Sequence, residues 1–192
     1  ETPLNSRYAS PEMLYLFSPD RKFSTWRRLW VALAESEMEL GLPITQAQVD
    51  QLKAHVTDID YEAARRHEER VRHDVMAHVL AYGDVCPDAK GIIHLGATSC
   101  YVTDNADILM LRDATALIRK KLIAVMRKLS AFALEYKDLP TLGYTHLQPA
   151  QLTTVGKRAC LWLQDLYMDL AELDDTARAI KLLGNRGATG TQ

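Results

Sequence analysis

The sequence predicts an all-α protein, an N-terminal helical domain joined to the start of a long-helix bundle. Three observations carry that expectation. Apolar residues recur at helical spacing along most of the chain. One stripe, Ile108, Leu111, Ile118, Leu122, Val125, Leu129, Phe132 and Tyr136, persists far beyond an ordinary helix and calls for a partner helix. Apart from the short GIIHL at 91–95, nothing alternates as a strand does. The expected domains are 1–98 and 99–192.

The N-terminal ETPLNSRYASPEM lacks the basic-then-apolar layout of a signal peptide. Residues 24–40 place Trp26, Leu29, Trp30 and Leu33 on one helical face, with Ser24 or Thr25 as N-cap and Gly41 as terminator. Pro43 forbids continuation, and Thr45 caps a short helix ending near Ala54. Residues 60–82 read as one helix whose charged first half lies on the surface and whose second half, VMAHVLAY, turns inward. A loop follows to Thr103, the expected N-cap of a long helix over 104–136. Lys120, Lys121, Arg127 and Lys128 fall on its solvated side. The stretch 141–158, TLGYTHLQPAQLTTVGKR, reads as a polar junction. A last helix then occupies 151–183, with Gln151, Thr153, Thr154 and Lys157 on its first turns and Leu161, Leu166, Leu170 and Leu173 along its stripe. The glycine-rich tail GNRGATGTQ has no packing partner of its own, so the chain is expected to be a fragment of a longer protein.

A net charge of -2 and a pI near 6.3 exclude the basic footprint of a nucleic-acid binder. Three widely spaced cysteines, with no CxxC pair, indicate neither zinc nor a disulfide framework and suit a reducing compartment. No apolar run reaches membrane-spanning length, so a cytoplasmic protein is expected, with neither nucleic acid nor membrane as partner.

Chemistry concentrates in three polar islands. Of the six histidines, His55 and His67 read as surface residues, and His78 as a packing residue on an inward face. His73 and His78, five apart, do not share a helical face, so no metal site is indicated. Arg72, His73 and Asp74 form a polar triplet where a helix turns apolar. In GATSCYVTDNAD, Thr98 and Ser99 sit near a helix N-terminus, where hydroxyls and free N–H groups suit a carboxylate or phosphate. In the third island His146, flanked by Thr145 and Gln148, is a candidate proton donor or acceptor at neutral pH. Together the islands suggest a composite site for an anionic substrate.

The segments SRYASPEM, VRHDVMAH, AKGIIHLGATSCYV and TLGYTHLQPAQLTTVGKR, in that order and spacing, resemble the animal-type adenylosuccinate lyases, a family of the fumarase/aspartase superfamily. The likeness spans essentially all 192 residues. It implies a carbon–nitrogen lyase without cofactor that eliminates fumarate from adenylosuccinate, giving AMP, and from SAICAR, giving AICAR, in purine biosynthesis. It further implies His146 as general acid, His73 as a second catalytic candidate, and Arg7 and Tyr8 at the nucleotide phosphate. Arg72, His73 and Asp74 would line the pocket, Thr98 and Ser99 would hold a succinyl carboxylate, and Thr145, Gln148 and Lys157 would complete the site. Family members are homotetramers whose active sites draw on three chains. Their general base is a serine in a GSSAMPYKRNP-like loop that this sequence lacks, so this chain alone is expected to be inactive. LLGNRGATGTQ also departs from the family's FRGVKGATGTQ-like wording, and Arg186 is the expected substitute for its basic residue. The competing reading is a non-catalytic helical oligomerisation module.

Overall fold

The computed structural model describes residues 2–187, which form two compact units, 2–111 with 182–187, and 112–181. The last five residues of the glycine-rich tail lie outside the described residues.

In the first unit, a π-helical turn at Leu4–Tyr8 precedes α1 (Pro11–Leu16) and α2 (Pro19–Glu39). α2 begins earlier than predicted. Ser18 is its cap, accepting the Arg21 N–H at 3.2 Å, and Pro19 follows at the first helical position, where a missing N–H is harmless. Ser24 and Thr25, the expected caps, lie inside the helix and donate to the Arg21 carbonyl. Gly41 does end the run. Its φ of 88° lets Gly41 N–H reach Met38 O and Leu42 N–H reach Glu37 O, both at 3.0 Å, as in a Schellman motif. α3 (Gln46–Ala54) carries a complete Thr45–Gln48 capping box.

The single helix predicted over 60–82 is two, α4 (Tyr61–Val71) and α5 (Asp74–Val85). Arg72 adopts φ 55°, and His73 is an extended N-cap whose Nδ1 accepts the Met76 N–H at 3.4 Å. A capping side chain here outcompetes continuation of the helix. The GIIHL segment is a series of turns, not a strand. α6 (Ser99–Glu135) starts ahead of Thr103. That residue is no cap, because its hydroxyl donates back to Ser99 O at 3.3 Å.

Trp26, Trp30, Val49, Leu52, Val75, Tyr82 and Val102 build the core of this unit. Phe23, Trp26 and His78 form an aromatic cluster, with the His78 ring stacked 3.7 Å from Phe23. His78 is therefore the packing residue expected. Buried Arg27 is held by the carbonyls of His55 and Asp58 and lies 4.2 Å over the Tyr82 ring.

The second unit contains the rest of α6, a hairpin and α7 (Val155–Ala179). The junction expected to be a loop is this hairpin, β1 (Pro140–Thr145) paired antiparallel with β2 (Gln148–Thr154). Gln151 and Thr153 thus stand on a strand, Thr154 caps α7, and Lys157 alone of that set is helical. Threonine and tyrosine favour this extended backbone. Both faces are largely exposed, so no apolar–polar alternation announced it. The stripe on α6 stays partly uncovered at Ile118, Val125 and Phe132. No helix among the described residues is long and apolar enough to cross a membrane.

Candidate functional site

The candidates divide between the two units. In the first, the helix break between α4 and α5 presents Arg72, His73 and Asp74 together. His73 Nδ1 lies 3.5 Å from Asp74 Oδ1, which also accepts the Val75 N–H at 2.8 Å. The left-handed Arg72 costs a non-glycine residue roughly 1–2 kcal/mol, the kind of strain that collects at functional positions.

Close by is a residue to which sequence reasoning gave no role. His94, at φ 65°, accepts the Trp30 indole N–H on Nδ1 at 3.0 Å. Burial, with a smaller effect from His73, holds its imidazole below the ordinary pKa. A neutral ring with Nδ1 occupied must carry its proton on Nε2. Its signal was the positive φ, invisible in a segment read as a strand.

Thr98 and Ser99 stand at the start of α6, the Thr98 carbonyl accepting the Tyr101 N–H at 2.9 Å. Asn185 contacts the same turn, its Oδ1 3.4 Å from Thr98 N. Arg7 and Tyr8 occupy the exposed Leu4–Tyr8 turn, with the guanidinium 5.9 Å from the Tyr8 ring.

In the second unit the hairpin holds Thr145, His146 and Gln148 at its tip. Thr145 pairs with Gln148, leaving His146 and Leu147 as the two turn residues. Their φ values, 50° and 64°, are both left-handed, as a type I′ turn requires. Glycine and asparagine ordinarily fill such positions, and here an imidazole and a leucyl side chain that is 99% exposed are held there instead. The turn thrusts His146 into solvent.

The hairpin is braced at its root. Gly143 occupies the bulge between Leu142 and Tyr144, where a Cβ would sit 2.8 Å from Gln151 O. Arg158, on the first turns of α7, donates to Leu142 O at 2.8 Å. Gly156 N–H donates to Tyr136 O at 2.9 Å and Val155 N–H to Leu139 O at 3.0 Å. An open recess of about 480 Å³ lies against one side, lined by Gly143, Tyr144, Gln151, Thr153, Thr154 and Lys157 among others. Gln151, Thr153, Thr154 and Lys157 line this recess together, although three of them precede α7. His146 is not among its lining residues.

Among the described residues no three His, Cys, Asp or Glu side chains cluster as metal ligands. The arrangement offers instead an exposed imidazole for proton transfer, hydroxyls with N–H groups for a carboxylate, and arginines for an anion.

A family profile described as "Lyase" matches residues 26–192. The chain is 56% identical to the adenylosuccinate lyase of Saccharomyces cerevisiae and 55% identical to that of Schizosaccharomyces pombe, over all of this chain and 40% of each relative. The chain therefore spans about two fifths of the length of these relatives. Among solved structures, the 3-carboxy-cis,cis-muconate lactonizing enzyme of Pseudomonas putida superposes with a TM-score of 0.87 at 28% identity, over 98% of this chain and 44% of that one.

Proposed function

The chain belongs to the lyase family, and from that premise we propose that the protein containing it eliminates fumarate from adenylosuccinate, giving AMP, and from SAICAR, giving AICAR. The observation that carries this reading is identity of 55–56% across every residue of the chain to two proteins named adenylosuccinate lyase. The local chemistry supports it. Breaking a C–N bond is easier if the departing nitrogen is protonated as the bond cleaves. His146, projected on its strained turn, is the proton donor in this reading. The proton on the neighbouring carbon goes to a base outside this chain. Negative charge then accumulates on the succinyl carboxylate, and Thr98 and Ser99 are its donors. Arg72, His73 and Asp74 line the pocket, with His73 able to relay or donate a proton. Arg7 and Tyr8 hold the phosphate, and Thr145, Gln148 and Lys157 flank the dicarboxylate.

The site is completed between subunits of a cytoplasmic homotetramer. In support, apolar side chains stay exposed on both long helices of the second unit, including Ile118 and Val125 on α6 and Trp162 and Met168 on α7. The tip of the hairpin is equally uncovered. A purely structural assembly module would use the same faces but bind no ligand. Calorimetry on the full-length protein with AMP and fumarate separates the two readings. Saturable binding, together with the ultraviolet change of adenylosuccinate cleavage, supports the lyase. Absence of both rejects it.

A further inference from the structure

We propose that Asn105 and Asn185 are positioning residues for the Gly96–Ser99 turn and, through it, for the carboxylate end of the substrate. The inference rests on the assignment of Thr98 and Ser99 as carboxylate donors. Asn105 lies on α6 and is 1% exposed. A buried carboxamide is costly unless its donors and acceptor lone pairs are all engaged, and here they are. Nδ2 donates to Tyr101 O and to Gly184 O, each at 2.8 Å, while Oδ1 accepts the N–H groups of Leu183 at 2.8 Å and Gly184 at 3.2 Å. Only one of these four bonds stays within the helix. The other three seize the chain after α7, a segment with no secondary structure of its own to fix it.

Gly184 then turns at φ 69°, and the next residue is delivered to the turn. Asn185 Oδ1 accepts the Thr98 N–H at 3.4 Å, and its Nδ2 donates to Gly96 O at 3.3 Å. One amide thus engages a donor and an acceptor on either side of Ala97, a pairing that an aliphatic side chain at 185 cannot make. The two asparagines act in series, Asn105 anchoring the segment and Asn185 setting the orientation of Thr98 and Ser99.

The test is Asn185→Ala in the full-length protein, a half-exposed position where the fold should survive. Inhibition constants are measured separately for fumarate and for AMP, alongside kcat, KM and Tm. Fumarate binding should weaken about three- to tenfold, the size of one neutral hydrogen bond, with AMP binding unchanged. Equal weakening of both ligands, or of neither, overturns the positioning role. Asn105→Asp, which keeps shape but removes both donors, should show the same selective loss for fumarate together with a lower Tm. A drop in Tm alone would reduce Asn105 to a structural clamp and overturn its part. A wild-type protein that neither cleaves adenylosuccinate nor binds fumarate overturns the functional reading itself, a failure distinct from an unaltered variant of an active enzyme.

Discussion

Replacing Gly156 by alanine tests how the hairpin is rooted. A Cβ at this position would lie 2.3 Å from Ala133 O, 2.6 Å from Lys137 Cα and 2.8 Å from Lys137 N. All three are backbone atoms, so no rotamer change can relieve the clash. Buried Ala133 and Ala159 show that α6 and α7 meet there through small residues. Overpacking of this kind costs typically about 1–3 kcal/mol, and obstruction by backbone argues for the upper part of that range. Alanine's better helix propensity returns about 1 kcal/mol. A net destabilisation of about 2 kcal/mol is expected, with kcat lowered as the Gly156–Tyr136 bond and the strands beyond it shift. Chemical denaturation of full-length Gly156→Ala should show the loss. The control is Gly91→Ala, where nothing lies within 4 Å of the added methyl and φ is not left-handed, so stability should hold. Equal stability of the two variants would refute the close-approach reasoning.

Other outcomes follow from single contacts. Burial pushes His78 from the usual 6.5 to about 4, so between those values the unfolded chain binds a proton that the folded one refuses. Stability should therefore fall as pH drops from about 6.5 toward 4, by as much as about 3 kcal/mol, and His78→Phe should flatten this limb in denaturation curves. Thr45→Ala removes half of a capping box and should cost about 1 kcal/mol in the same assay without altering turnover. Arg158→Ala frees the Leu142 carbonyl at the bulge; kcat should fall several-fold while Tm changes little, because both partners reach solvent.

The helical framework was legible because its signals are local and periodic. The Trp26–Trp30 face, the Thr45 cap and the Gly41 stop were read where they occur, since each depends on a few neighbouring residues. The break at Arg72–His73 was not, because no glycine or proline marks it and only the backbone, left-handed at Arg72 and extended at His73, reveals the interruption. The hairpin escaped for a different reason. Strand recognition needs one dry face, and Leu152 and Tyr144 are exposed in this chain. His146, Thr98 and Ser99 stand out in the sequence as polar residues between apolar-striped segments. Asn105, Asn185 and Arg158 were missed because their partners lie in other elements, and spacing carries no trace of such contacts.

The proton donated by His146 is the step on which the proposed reaction turns, and its most direct test is steady-state turnover of adenylosuccinate by full-length His146→Ala. Loss of the general acid should lower kcat by about 10² to 10⁴ while helix content, oligomer mass and fumarate binding stay as in wild type. A kcat within a few-fold of wild type would contradict the assignment.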